Sequence, residues 1–157
     1  METTKTIIDT DVLIDLLRNK KEAVAFVSRL QDKNLLLSTT VINQFELHYG
    51  AHKSGNPEKN LQATKKLLNK LQILPLTPKS AQKAGHIFAE LETKGQTIGL
   101  RDTLIGAIAL TREFSVPHTT QNISKKSRTQ KSSSARILTA PEFQTLRRLK
   151  ETAAEKG

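Results

Sequence analysis

The sequence predicts an α/β domain built on a parallel sheet, and three observations carry that expectation. Short apolar runs suited to strands recur at 5–9, 35–37, 73–76 and 116–120. One or more stretches with helical periodicity, not a tight hairpin turn, separate each run from the next, and parallel strands need such crossovers. Helix-starting residues follow closely on the first three runs, as expected where strands feed helices.

The elements follow in order. Lys5-Thr-Ile-Ile-Asp9 is a short buried strand, after which Thr10 is expected to cap a helix whose Val12, Leu13, Leu16 and Leu17 share one face. A second helix spans about 22–30, with Val24, Phe26, Val27 and Leu30 as its apolar positions. Residues 35–37 form the second strand, and 38–40 offer the cap for a helix carrying Val41, Ile42, Phe45 and Tyr49, loosening between Gly50 and Gly55. Asn56-Pro57 is a cap followed by proline in the first helical position, and opens a helix through Leu71. Ile73-Leu-Pro-Leu76 is a short strand that Pro75 confines to an edge. Thr77-Pro78 starts a helix that runs to about Lys94 and stops at Gly95; a helix over 102–113 and a strand over 116–120 follow. Residues 124–136, SKKSRTQKSSSAR, predict a basic Ser/Lys-rich loop, expected to be mobile. Ile137-Leu138 is a strand stub, and Thr139-Ala-Pro-Glu142 is a capping-box pattern for a C-terminal helix over 139–154.

The chain has 157 residues, a length that predicts a single domain over 1–157. There are no cysteines, which excludes a disulfide scaffold and thiolate metal sites. No apolar run approaches the ~18 residues of a membrane span, and the N-terminus has no signal-like apolar segment, so no membrane association and a cytoplasmic location are expected. With 25 Lys+Arg against 15 Asp+Glu the net charge is +10, which points to a polyanionic partner. From Ser115 onward there are nine basic residues and three acids, so the excess is concentrated in the tail. Aromatics are 4% of the chain, too few for a base-stacking sheet surface, so any nucleic acid is expected to bind through phosphates or a metal.

Three carboxylates stand out against apolar frames. Asp9 ends a strand, where a parallel sheet places its functional crevice. Glu46 lies between Phe45 and Leu47, and Asp102 precedes Leu104-Ile-Gly-Ala-Ile-Ala-Leu110, a helix apolar nearly all round. Burying an unpaired charge costs several kcal/mol. If the three converge, a divalent cation is the natural solution, and hard oxygen ligands suit Mg²⁺ or Mn²⁺. Each has a plainer reading. Asp102 can serve the dipole of its own helix, Glu46 can be solvated, and Asp11 and Asp15 are expected on the polar face of the first helix.

Four segments together resemble the PIN-domain family, and within it the VapC-type toxin ribonucleases of toxin–antitoxin pairs. They are Ile7-Ile-Asp-Thr-Asp-Val-Leu-Ile14, Thr40-Val-Ile-Asn-Gln-Phe-Glu-Leu47, Asp102-Thr-Leu-Ile-Gly-Ala-Ile-Ala109 and Pro117-His-Thr-Thr-Gln-Asn122, in the family's order over roughly 5–123. The resemblance implies a PIN-like fold, with a central, mostly parallel sheet flanked by helices on both faces. It also implies an Mg²⁺-dependent endoribonuclease (Mn²⁺ being the other candidate), in which Asp9, Glu46 and Asp102 are the catalytic and metal-binding residues. Thr10 and Thr40 match supporting polar positions. The implied partners are an RNA substrate, a cognate VapB-like antitoxin and a second copy of the chain in a homodimer.

The fourth segment departs from the family pattern. Where relatives of this kind usually carry another acid, this chain has Asn122 and Lys125-Lys126. Asn122 can still contact a metal-bound water; Lys125 would weaken metal affinity while gripping a phosphate. The departure leaves open a degenerate PIN module that binds RNA or a partner without cutting. Lys125, Lys126 and Arg128 are candidate RNA contacts, but they equally suit an acidic antitoxin segment or a solvated charge run. Asp9-Thr-Asp11 is also similar to the haloacid-dehalogenase phosphatase signature, but Leu13 and the lack of a later Asp-Asp pair count against it. His48 and His52, spaced i and i+4, have no evident third ligand and are expected to be surface or structural residues.

Overall fold

The computed structural model of the chain describes residues 5–96 and 98–112. Among these residues the order is β1 (Lys5–Ile7), α1 (Thr10–Leu17), α2 (Lys21–Asp32), β2 (Leu36–Thr40), α3 (Val41–His52), α4 (Pro57–Leu68), β3 (Gln72–Leu74), α5 (Pro78–Thr93) and α6 (Leu100–Thr111). The strands form one parallel sheet in the order β1-β2-β3, with Ile7 opposite Ser38 and Thr40 opposite Leu74.

Neighbouring residues of an extended chain point to opposite faces, and the core is divided accordingly. Ile8 belongs to a cluster with Leu13, Leu30, Leu37, Leu47 and Leu68, which brings α1, α2 and α4 onto one face. Ile7 instead joins Leu74, Ile108 and Ala109, so α6 covers the other face, and α5 packs against α6 through Ile87, Leu91 and Leu110. Helix α3 contributes to both, through Leu47 and Ile42. The expected α/β architecture, with helices on both faces of a parallel sheet, is therefore present.

Local chemistry sets the helix ends. Thr40 and Thr77 begin α3 and α5 with reciprocal capping boxes to Asn43 and Ser80, and Asn56 caps α4 with Pro57 in the first helical position. Gly95 follows α5 with φ +65°, the left-handed turn that glycine adopts without cost.

Several boundaries differ from the sequence expectation. Asp9, not Thr10, takes the N-cap position of α1, and it makes no side-chain cap bond there. Strand β2 extends to Thr40 and α3 continues through Gly50 to His52. Helix α4 ends at Leu68, because Lys70 and Leu71 bond back only three residues and turn the chain towards β3. Helix α6 begins two residues before Asp102. The strand over 116–120, the loop over 124–136, the stub at 137–138 and the helix over 139–154 lie outside the described residues.

Candidate active site

The carboxyl end of β1 meets the N-termini of α1 and α3 at one edge of the core. Asp9 sits where the extended chain of β1 becomes α1, Thr10 is the first residue of that helix, and Thr40 is both the last residue of β2 and the cap of α3. Glu46 lies on α3 and is nearly buried. Asp102 lies in the first turn of α6, three residues after Gly99.

Asn43 joins these elements. Its Nδ2 donates to Asp9 Oδ1 at 2.9 Å and to Thr10 Oγ1 at 2.8 Å, while its Oδ1 accepts from the Thr40 amide at 3.1 Å. The Thr40 hydroxyl also donates to Asn43 Oδ1, at 2.5 Å. Thr10 then passes its own hydroxyl proton on, donating to Glu46 Oε2 at 2.5 Å. One amide, placed by a helix cap, thus fixes Asp9 directly and Glu46 through a hydroxyl. That use of Thr10 explains why it does not cap α1.

The other oxygen of Glu46 is engaged differently. Arg101, the second residue of α6, ion-pairs through Nη1 with Glu46 Oε1. The Glu46 side chain is only 7% exposed and that of Arg101 53%, so the guanidinium reaches in from solvent.

Electrostatics bring the predicted acids into one neighbourhood. Burial pushes the Asp9 carboxyl up from its ordinary 3.8 to about 7; the Thr10 amide opposes this, and the charges of Asp11, Glu46 and Asp102 add to it. Asp9 Oδ2 is buried without a hydrogen-bond partner among the described residues. Asp11, expected on the solvated face of α1, is instead half-buried. Burial raises its carboxyl, Asp15 and Glu46 raise it further, and Lys20 opposes them. Asp15 itself pairs with Lys20 at 2.7 Å. The Asp102 carboxylate folds back over the start of α6, and a Cβ placed on Gly99 would lie 3.3 Å from its Oδ2.

Glu46 and Asp102 both act on Asp9, yet among the described residues no three acids or histidines form a ready-made metal cage. The donor chemistry nevertheless suits a hard cation: carboxylate oxygens, one of them buried and unsatisfied at Asp9 Oδ2. Sequence reasoning missed Asn43 and Arg101. Asn43 left a signal in the Thr-x-x-Asn spacing of a capping box, whereas Arg101 left only its position beside Asp102. Asn122, Lys125, Lys126 and Arg128 lie outside the described residues.

Comparison with known proteins adds to this geometry. Residues 6–120 match the family model for the PIN domain. The chain is 35% identical over 105 residues to a ribonuclease VapC of Haemophilus influenzae, covering 67% of this chain and 78% of that protein. It is 33% identical over 108 residues to the tRNA(fMet)-specific endonuclease VapC of Salmonella typhimurium, covering 69% and 80%. The crystal structure of DNA-bound VapBC from Salmonella typhimurium aligns with a TM-score of 0.64 and 32% identity, over 72% of this chain and 84% of that one.

Proposed function

The chain belongs to the PIN-domain family, and from that premise we propose that it is a VapC-like, divalent-metal-dependent endoribonuclease, the toxin of a toxin–antitoxin pair. The observation that carries the proposal is Asp9: a buried carboxyl with one unpartnered oxygen, within electrostatic reach of Glu46 and Asp102. Asp9, Glu46 and Asp102 are the residues that would hold the cation, with Mg²⁺ or Mn²⁺ matching their hard oxygens. When bound, such an ion supplies an activated water and neutralises charge on the scissile phosphate.

The chain's own residues prepare that site. Asn43 holds Asp9 Oδ1 and leaves Oδ2 for a ligand; Thr10 holds Glu46 from the buried side. Burial favours a proton on Asp9 near neutral pH, so the site carries less net charge before a cation arrives.

RNA is the proposed substrate, a VapB-like protein the proposed inhibitor, and a homodimer in the cytoplasm the proposed working state. These rest on the relatives named above and on the net charge of +10. No helix among the described residues is long and apolar enough to cross a membrane.

The test is RNA cleavage by antitoxin-free protein with Mg²⁺ or Mn²⁺. Asp9→Asn, Glu46→Gln and Asp102→Asn should each lower the rate by about a hundredfold or more, since even outer-shell changes at metal sites cost ~10–100-fold. If the folded wild type cuts no RNA while still binding it, the degenerate binding module replaces the enzyme reading; variants that cut like wild type remove these three residues from the site.

A further inference from the structure

Glu46 presents two carboxylate oxygens, and both are occupied. Oε2 accepts from Thr10, a buried hydroxyl that Asn43 holds in place. Oε1 carries the Arg101 guanidinium, whose side chain is half exposed. The two partners differ in whether they can leave. Thr10 has no other described acceptor and no solvent to turn to, whereas Arg101 can exchange Glu46 for water while keeping its backbone in α6.

Any cation that uses Glu46 must meet that guanidinium. The guanidinium is a charged, planar group with five donors, well matched to a carboxylate. Its positive charge also lies against Glu46, one of the acids whose negative charge reaches Asp9 and Asp11. A fixed +1 at that point cancels part of the acids' attraction for a divalent ion.

We infer that Arg101 is a built-in competitor of the divalent cation, occupying Glu46 in the metal-free chain and setting how much metal is needed to load the site. This rests on the proposal that Glu46 is a metal ligand. Loading is a ligand exchange without covalent change: the guanidinium leaves Glu46 Oε1 for water, and the cation takes its place. Arg101 is here a positioning residue, acting through Glu46.

The experiment titrates Mn²⁺ alone into the full-length, antitoxin-free chain, with free Mn²⁺ read by electron paramagnetic resonance and folding checked by thermal melts. Arg101→Gln should bind Mn²⁺ about tenfold tighter than wild type, the scale expected when one nearby like charge is removed from a partly exposed site. Arg101→Lys, which keeps a charge but loses the planar fork, should tighten it by only about twofold. Glu46→Gln should weaken binding and abolish the gain when combined with Arg101→Gln. Unchanged or weaker binding in Arg101→Gln, with Glu46→Gln still impaired, overturns this inference alone. Wild-type affinity in Glu46→Gln removes Glu46 as a ligand, and the inference falls with it. Binding by neither wild type nor Arg101→Gln overturns both.

Discussion

Glu46 has two flanks, and they are built on opposite principles. On one side, Thr40, Asn43 and Thr10 form a neutral relay of hydroxyls and an amide, each at most 2% exposed. On the other, a single charged residue reaches in from solvent, its side chain 53% exposed. The buried flank cannot rearrange without leaving polar groups unsatisfied, which costs ~1–3 kcal/mol per group. The other flank can open more readily, because the guanidinium that leaves is half exposed and regains water, although the Glu46 it leaves is buried. Geometry is thus set from inside and access from outside. A metal site needs both: ligands held in place, and one partner that can leave.

The largest expected effect tests what the buried flank costs. In the metal-free folded chain Asp9 holds its proton up to about pH 7, whereas in the unfolded chain it releases it near its ordinary value of 3.8. Its preference for the folded state is therefore fully present below about pH 4 and is lost as pH rises towards 7. The change amounts to at most about 4 kcal/mol over that window. Asp9→Asn removes the titration. In EDTA its stability advantage over wild type should be near zero at pH 4 and should grow to its full size by pH 8, as measured by urea unfolding across that range. A pH-independent difference would mean that burial is not what raises this carboxyl. Saturating Mn²⁺ should reverse the order at pH 8, stabilising wild type and leaving Asp9→Asn unmoved.

A smaller effect compares the flanks directly. Asn43→Ala removes the donor to Asp9 and Thr10 together with half of the α3 capping box. It should cost about 2–3 kcal/mol of stability, combining lost buried hydrogen bonds with a weakened cap. Arg101→Gln, which exchanges the guanidinium for an amide donor, should cost less in the same assay, about 1 kcal/mol. If the two losses were equal, the distinction between a fixed flank and an opening one would fail.

Local rules made much of the fold legible. Asn56-Pro57, Thr77-Pro78 and Gly95 each carry their conformational reason in the residue itself, and the structure uses each as expected. The three acids were visible because a charge inside an apolar frame is costly and therefore conspicuous. Asn43 and Arg101 were not, for a physical reason. An asparagine or arginine in the first turn of a helix is ordinary, and what distinguishes these two is a partner far along the chain. Asn43 reaches Asp9 across 34 residues and Arg101 reaches Glu46 across 55. Thr10 shows the same limit from the other side. Its cap propensity was real, but Glu46, 36 residues away, claims its hydroxyl.

The smallest expected effect concerns Asp102, which belongs to neither flank but shares α6 with Arg101. Gly99 stands at the N-cap of that helix with φ −59° and ψ 144°, a conformation open to any residue, so backbone strain does not explain the glycine. Space does: a Cβ there would stand 3.3 Å from Asp102 Oδ2, close enough that the carboxylate must move by a few tenths of an ångström. Gly99→Ala should accordingly cost only about 0.5–1 kcal/mol in stability, the scale of exchanging glycine for alanine at a cap. Its effect on RNA cleavage should be larger in proportion, several-fold, since ligands must sit within about 0.5 Å of their working geometry. A rate loss with a nearly unchanged melting temperature would place Asp102 in the site by position. Wild-type cleavage from Gly99→Ala would mean that the fold-back of Asp102 over its own helix start serves only the helix.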